Sequence, residues 1–209
     1  MNLETWLSFL GAAIALTLMP GPDNIFVLTE SLSRGAKRGI SLSAGLASGV
    51  MVHTLLAATG LALLLKQFPQ LAFAIRLAGT IYLIYIAYSA WREKAHPLRL
   101  KESANLKKGP GFWQSFGKGF LMNVLNPKVT LFFLALLPQF VDAEATWSEF
   151  QQMLSMGISF MLQAFVLFSG IAILAGSLHQ YLASEKFWDF TRWFQVVVLL
   201  FIALGLWWL

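Results

Sequence analysis

An acid and a base stand at matching points of two apolar runs. The first, "LTLMPGPDNIFVL", places Asp23 directly after Pro20, Gly21 and Pro22. The second, "GFLMNVLNPKVTLFFLALLPQFV", places Lys128 after Asn126 and Pro127. With Pro22 laid on Pro127, Asp23 falls opposite Lys128 and apolar residues flank both. Proline removes a backbone donor and clashes with the preceding turn, which leaves carbonyls unpaired. The helix that restarts after it offers N–H groups and a positive dipole end, suited to a carboxylate. The carbonyls before it suit an ammonium or a proton-carrying water. Two such breaks have the chemistry to hold a small zwitterion. Asp23 would take its ammonium, or a proton in exchange for it, and Lys128 with Asn24 or Asn126 its carboxylate. Two plainer readings stay open: prolines that only kink helices, and a structural Asp23–Lys128 ion pair.

The elements that must position these residues are greasy. The chain has 209 residues, 57% hydrophobic and 12% charged, with a mean hydropathy of +0.66. Soluble domains carry about 45–50% apolar and about 25% charged residues. The apolar residues come in blocks near the bilayer-spanning length of about 20. The expectation is an all-α polytopic membrane protein, a single transmembrane domain over residues 1–209. Its six transmembrane helices lie near 5–30, 40–65, 69–91, 113–141, 148–178 and 187–208. The N-terminal run has no Lys or Arg before it and reads as a retained first span rather than a signal peptide. Three spans separate the two breaks, so span 1 runs inward and span 4 outward. That is a 3+3 inverted repeat with broken helices 1 and 4, its half-repeats about 1–91 and 113–209. Paired Gly/Pro-interrupted segments in such a repeat point to the transport site.

Topology follows from aromatic and basic residues. All eight tryptophans fall at or near predicted span ends, where indole prefers the lipid–water interface. Twelve of the 15 Lys and Arg lie in the odd loops and their flanks, including the long basic loop 92–112, while "FVDAEATWSEF" has acids and no base. The odd loops are therefore expected in the cytoplasm and both termini in the periplasm of a bacterial inner membrane. The basic loop reads as a solvated topology determinant touching anionic lipid.

Other polar residues at depth are fewer. His53, midway along span 2, titrates near neutral pH or simply bonds a neighbouring helix. Gln163, in span 5, lines a cavity or bonds a neighbour. Glu30 and Arg76 sit nearer the predicted interfaces and are expected to snorkel or pair at the surface. Small residues Gly39, Ser43 and Ala47, with Gly45 and Gly49, form a close-packing seam, within the protomer first and between two copies of a homodimer second. With no Cys and three separated His, the chain offers no thiol chemistry, no metal cluster and no nucleophile–base set. An enzyme is not expected, nor a cofactor, a metal or a nucleic-acid partner.

"MPGPDNIFVL", "SRGAKRGISLSAGLASGVMVH", "GTIYLIYIAY" and "SFGKGFLMNVLNPKVTLFFLALLPQFV" occur in that order from residue 16 to about residue 141. The pattern resembles the LysE/RhtB family of bacterial amino-acid exporters. The resemblance implies a six-helix inner-membrane transporter that exports amino acids or close derivatives by proton antiport. Pro20, Gly21, Pro22 and Asp23 match the family's first motif, and Asn126, Pro127 and Lys128 its second. Members differ widely in substrate, so the motifs leave the cargo open. A channel, or an exporter of another small solute, is the alternative.

Overall fold

In lipid each backbone group must bond within its own segment, which favours helices, and every regular element among the described residues is helical. The computed structural model describes residues 3–19, 21–61, 68–92, 111–182, 185–205 and 207. Helix α1 (Leu3–Leu18) is followed by α2 (Pro22–Arg34) and α3 (Ala36–Leu56), which runs on into a π-helical turn, Ala57–Leu61. Then come α4 (Pro69–Arg92), α5 (Phe112–Val124) and α6 (Pro127–Ala135), the last followed by a 3₁₀ turn, Leu137–Phe140. Helices α7 (Glu149–Leu182) and α8 (Glu185–Gly205) complete the chain. Pro20, and most of the basic loop with His96, lie outside the described residues.

The two breaks are real bends. Helices α1 and α2 meet at 57°, and α5 meets the following helical segment at 54°. Two stretches, Ala36–Thr59 and Glu149–Ala175, are long and apolar enough to cross a membrane, or four if each bent pair is one span. Helices α4 and α8 have shorter apolar stretches among the described residues, Leu77–Ser89 and Arg192–Leu204.

Helix α3 is the centre of the packing, lying along α5 on one side and α7 on the other. Its approach to α5 is backbone to backbone. A methyl built on Gly45 would overlap the Phe116 carbonyl oxygen, and one on Gly119 the Leu42 carbonyl oxygen. Gly39 is packed as closely, against the side chains of Ser31 and Ala172. The small-residue seam therefore closes contacts inside the protomer. Gly35 makes the turn from α2 to α3 with φ +86°, a left-handed conformation that glycine adopts without penalty.

The core between these helices is aromatic and aliphatic. Phe133 and Phe160 pack with ring centroids 5.2 Å apart, and Phe9, Leu16, Leu42 and Leu46 are buried around them. Outward faces are equally apolar: Val166 on α7, Tyr85 on α4 and Phe201 on α8 are all more than half exposed. Such faces suit hydrocarbon rather than water.

Charge divides the ends of the bundle. Arg34, Lys37 and Arg38 lie where α2 meets α3, and the Ser41 hydroxyl there donates to the Phe112 carbonyl at the start of α5 (2.6 Å). Lys118, on α5, sits 3.9 Å from the Phe26 ring centre. The acids Asp142, Glu144 and Glu149 gather at the far end, around the α7 start.

Candidate functional site

Both breaks restart a helix in the same way. Pro22 and Pro127 each open the new helix, a position where a missing N–H costs nothing. Gly21 precedes Pro22 in fully extended backbone, without a side-chain cap. Asn126 precedes Pro127 and does cap: its Oδ1 accepts the Lys128 backbone N–H at 3.0 Å. Asp23 and Lys128 thus occupy the same, second position of their helices. An acid there is favoured by the helix dipole; a lysine is opposed by it. Each charge at the centre of a membrane helix also costs about 2.5–3.5 kcal/mol. Helix stability cannot account for Lys128.

The breaks touch through side chains. Asn126 Nδ2 donates to Asp23 Oδ2 at 2.8 Å. Lys128 Nζ reaches across to the Leu16 carbonyl at 3.4 Å, and Asn24 Nδ2 donates to the Met19 carbonyl at 2.8 Å. Two carbonyls left by the end of α1 are thereby satisfied by the polar groups of both breaks. Among the described residues Asp23 and Lys128 form no direct ion pair. Asn126 stands between them, bonded to the carboxylate of one and the backbone of the other. Asp23 is buried and Lys128 half-buried.

A cavity of about 20 Å³ lies at this junction, lined by Thr17, Gly21, Asp23, Asn24, Asn123 and Lys128 on its polar side. Phe160, Ala164 and Phe168 of α7, with Val50 and Val129, form the apolar side. That volume suits about one water. Any larger solute requires the two breaks to part.

The remaining candidates take supporting places. His53 is buried on α3, and its Nε2 donates to the Asn123 carbonyl at 3.1 Å, holding the end of α5 just before the break. It does not line the cavity. His53→Phe is expected to lower stability in detergent by about 1 kcal/mol, the worth of a typical hydrogen bond, and to leave the pH profile of transport where it was. Thermal unfolding and transport assayed across pH check both halves. Gln163 Nε2 donates to Thr17 Oγ1 at 2.9 Å, and Thr17 is a cavity wall.

Glu30 pairs as expected, with Arg34, but not at an open surface. It is 7% exposed, with Arg34 Nη1 at 3.0 Å and the Ser115 hydroxyl donating to it from α5 at 3.4 Å. The side chain of Arg76 is outside the described residues. Sequence reasoning misses Thr17 and Asn123. Asn123 carries the same signal as Asn126, an amide in an apolar run, three residues upstream. Thr17 bonds its own helix at the Ala13 carbonyl and carries none.

Asn126→Ala is expected to destabilise by about 2–3 kcal/mol, combining a lost N-cap of about 1 kcal/mol with a lost bond to a carboxylate. Thermal unfolding of the purified protein measures it. Asn126→Asp keeps the cap but sets a second carboxylate against Asp23, so it should retain more of the helix and none of the transport.

Comparison with known proteins bears on the whole arrangement. Residues 14–208 match the LysE type translocator family. An uncharacterized membrane protein of Vibrio cholerae is 31% identical over 188 residues, 89% of this chain and 88% of its own. Another from Pseudomonas aeruginosa is 33% identical over 168 residues, covering 78% and 72%. A homoserine/homoserine lactone efflux protein of Salmonella typhimurium is 29% identical over 191 residues, covering 89% and 87%. No solved structure matches the chain.

Proposed function

The chain belongs to the LysE type translocator family, and on that premise we propose that it exports a zwitterionic amino acid, or a close derivative, in exchange for protons. Translocators move solutes rather than transform them, so the chain is a membrane transporter and not an enzyme. Export is the direction named for the Salmonella relative.

One observation carries the reading: an acid and a base occupy equivalent positions of two restarted helices and face one cavity. Asp23 holds the substrate ammonium or a proton, but not both. Lys128 and the N-terminus of α6 receive the carboxylate, with Asn126 between the two charges. Because proton and ammonium compete for Asp23, each crossing of substrate in one direction returns a proton in the other. The cavity is smaller than any amino acid, so loading must part α2 from α6 and break the Asn126–Asp23 bond. Substrate replaces that bond with its own.

The membrane arrangement proposed with it is six spans in a 3+3 inverted repeat, joined by the basic loop. The basic end faces the cytoplasm, and both termini face the periplasm of a bacterial inner membrane. Helices α4 and α8 would supply the two spans beyond the four that are counted when each bent pair is one span.

Inside-out vesicles carrying the protein test the function. An acid lumen should drive accumulation of at least one labelled amino acid, and a protonophore should collapse it. Accumulation indifferent to the protonophore would remove antiport and leave facilitated diffusion.

A further inference from the structure

We propose that the transported amino acid carries an uncharged side chain, and that the face of α7 formed by Phe160, Ala164 and Phe168 receives it. This names the substrate class of the same site and rests on the amino-acid export reading above. Among the described residues lining the cavity, Asp23 is the one carboxylate and Lys128 the one cation. An α-amino acid consumes both with its own ammonium and carboxylate. A lysine or arginine side chain would bring a third charge, and so would glutamate, with no partner left for either. An unpaired buried charge is strongly disfavoured, and a phenyl face attracts a cation far less than that burial costs.

The polar and apolar parts of the cavity are segregated as this requires. Asn24 Oδ1 and Asn123 Oδ1, both on the lining residues of the breaks, are buried with no hydrogen-bond partner, as is Gln163 Oε1 beside Thr17. Buried amide oxygens without donors are uncommon. Together with Asp23, the two asparagine oxygens of the cavity lining are acceptors, and an ammonium with its three N–H donors is a group that satisfies such a set. The α-ammonium is thereby fixed at the breaks. Phe160, Ala164 and Phe168, spaced by four on one helix face, are each at most 5% exposed and offer the opposite wall no hydrogen-bonding group. Only the side chain remains to fill it. Ala164 is the small residue between the two rings, so a larger side chain there would narrow this wall.

Inside-out vesicles with an acid lumen are given labelled leucine, alanine, lysine, arginine or glutamate at equal concentration. The neutral amino acids should accumulate at least tenfold faster than the charged ones. Ala164→Leu, which fills the wall, should cut leucine accumulation at least fivefold more than alanine. Ala164→Asp should raise lysine relative to leucine at least tenfold; if that variant fails to reach the membrane, the wild-type panel and Ala164→Leu still decide. Lysine or glutamate moving as fast as the neutral amino acids in wild type overturns the neutral class while leaving export intact. Ala164→Leu slowing leucine and alanine equally overturns the wall. No movement of any amino acid overturns the export reading, and this inference with it.

Discussion

Asp23→Asn is expected to yield a folded, membrane-inserted protein that no longer accumulates amino acid against a proton gradient. Asparagine has the shape of aspartate, and its side-chain carbonyl can still accept from Asn126 Nδ2, which lies 2.8 Å from Asp23 Oδ2. The substitution therefore takes away the charge and the proton-carrying capacity while sparing the contact between the breaks. A hydrogen bond to a charged group is worth about 1.5–3 kcal/mol, and every 1.4 kcal/mol is a factor of ten. Substrate binding should weaken by about 10–100-fold and coupling to protons should vanish. Labelled-substrate accumulation in vesicles, scaled to the amount of protein inserted, measures both. The double variant Asp23→Asn/Lys128→Gln separates this account from a structural charge pair. With both charges gone nothing is left buried and uncompensated, so a purely structural pair would leave transport intact. The export account predicts none.

Gly119→Ala should be among the most destabilising single methyls at the described glycines. Its Cβ would overlap the Leu42 carbonyl oxygen and lie 3.0 Å from the Leu46 nitrogen, while Gly45→Ala would overlap the Phe116 carbonyl oxygen from the other side. Both neighbours are backbone, so no side chain can swing away and α3 must part from α5. Overpacking by one methylene typically costs about 1–3 kcal/mol, and a helix–helix contact of this kind should cost about 3 kcal/mol or more. The damage reaches the site. Asn123, packed on Gly49 and bonded to His53, would shift with α5 and move the second break. Gly117→Ala on the same helix is the control, since a methyl there meets nothing within 4 Å. It should be neutral or gain about 0.5–1 kcal/mol from helix propensity. Thermal unfolding in detergent, run on all three variants, gives the comparison.

The breaks are legible in the sequence because Pro, Gly and a charge are each costly inside an apolar run and rarely gather there without a use. Opposition of Asp23 and Lys128 follows from laying one proline on the other, and Asn126 belongs to the same cluster. Its place as the bridge between the two charges is not legible, because that depends on how α2 meets α6 across 103 residues of chain. Glu30 reads as a residue that snorkels or pairs at the surface because it falls near the predicted end of span 1. Part of the cover that buries it comes from α5, through Ser115, which is 85 residues away. Phe160, Ala164 and Phe168 give no signal, since apolar residues four apart on an apolar helix are what any core face shows. The small-residue seam is legible as close packing within the protomer, yet its partner helix cannot be named from α3 alone.

Proton movement driven by substrate alone tests the central claim most directly. Purified protein is reconstituted into vesicles holding a pH dye and a high concentration of a transported amino acid. The vesicles are then diluted into amino-acid-free buffer at the same pH. Exchange at Asp23 predicts that the lumen acidifies as amino acid leaves, and that Asp23→Asn vesicles show no change. Loss of amino acid from the wild-type vesicles without acidification, or an equal pH change in the variant, would contradict it.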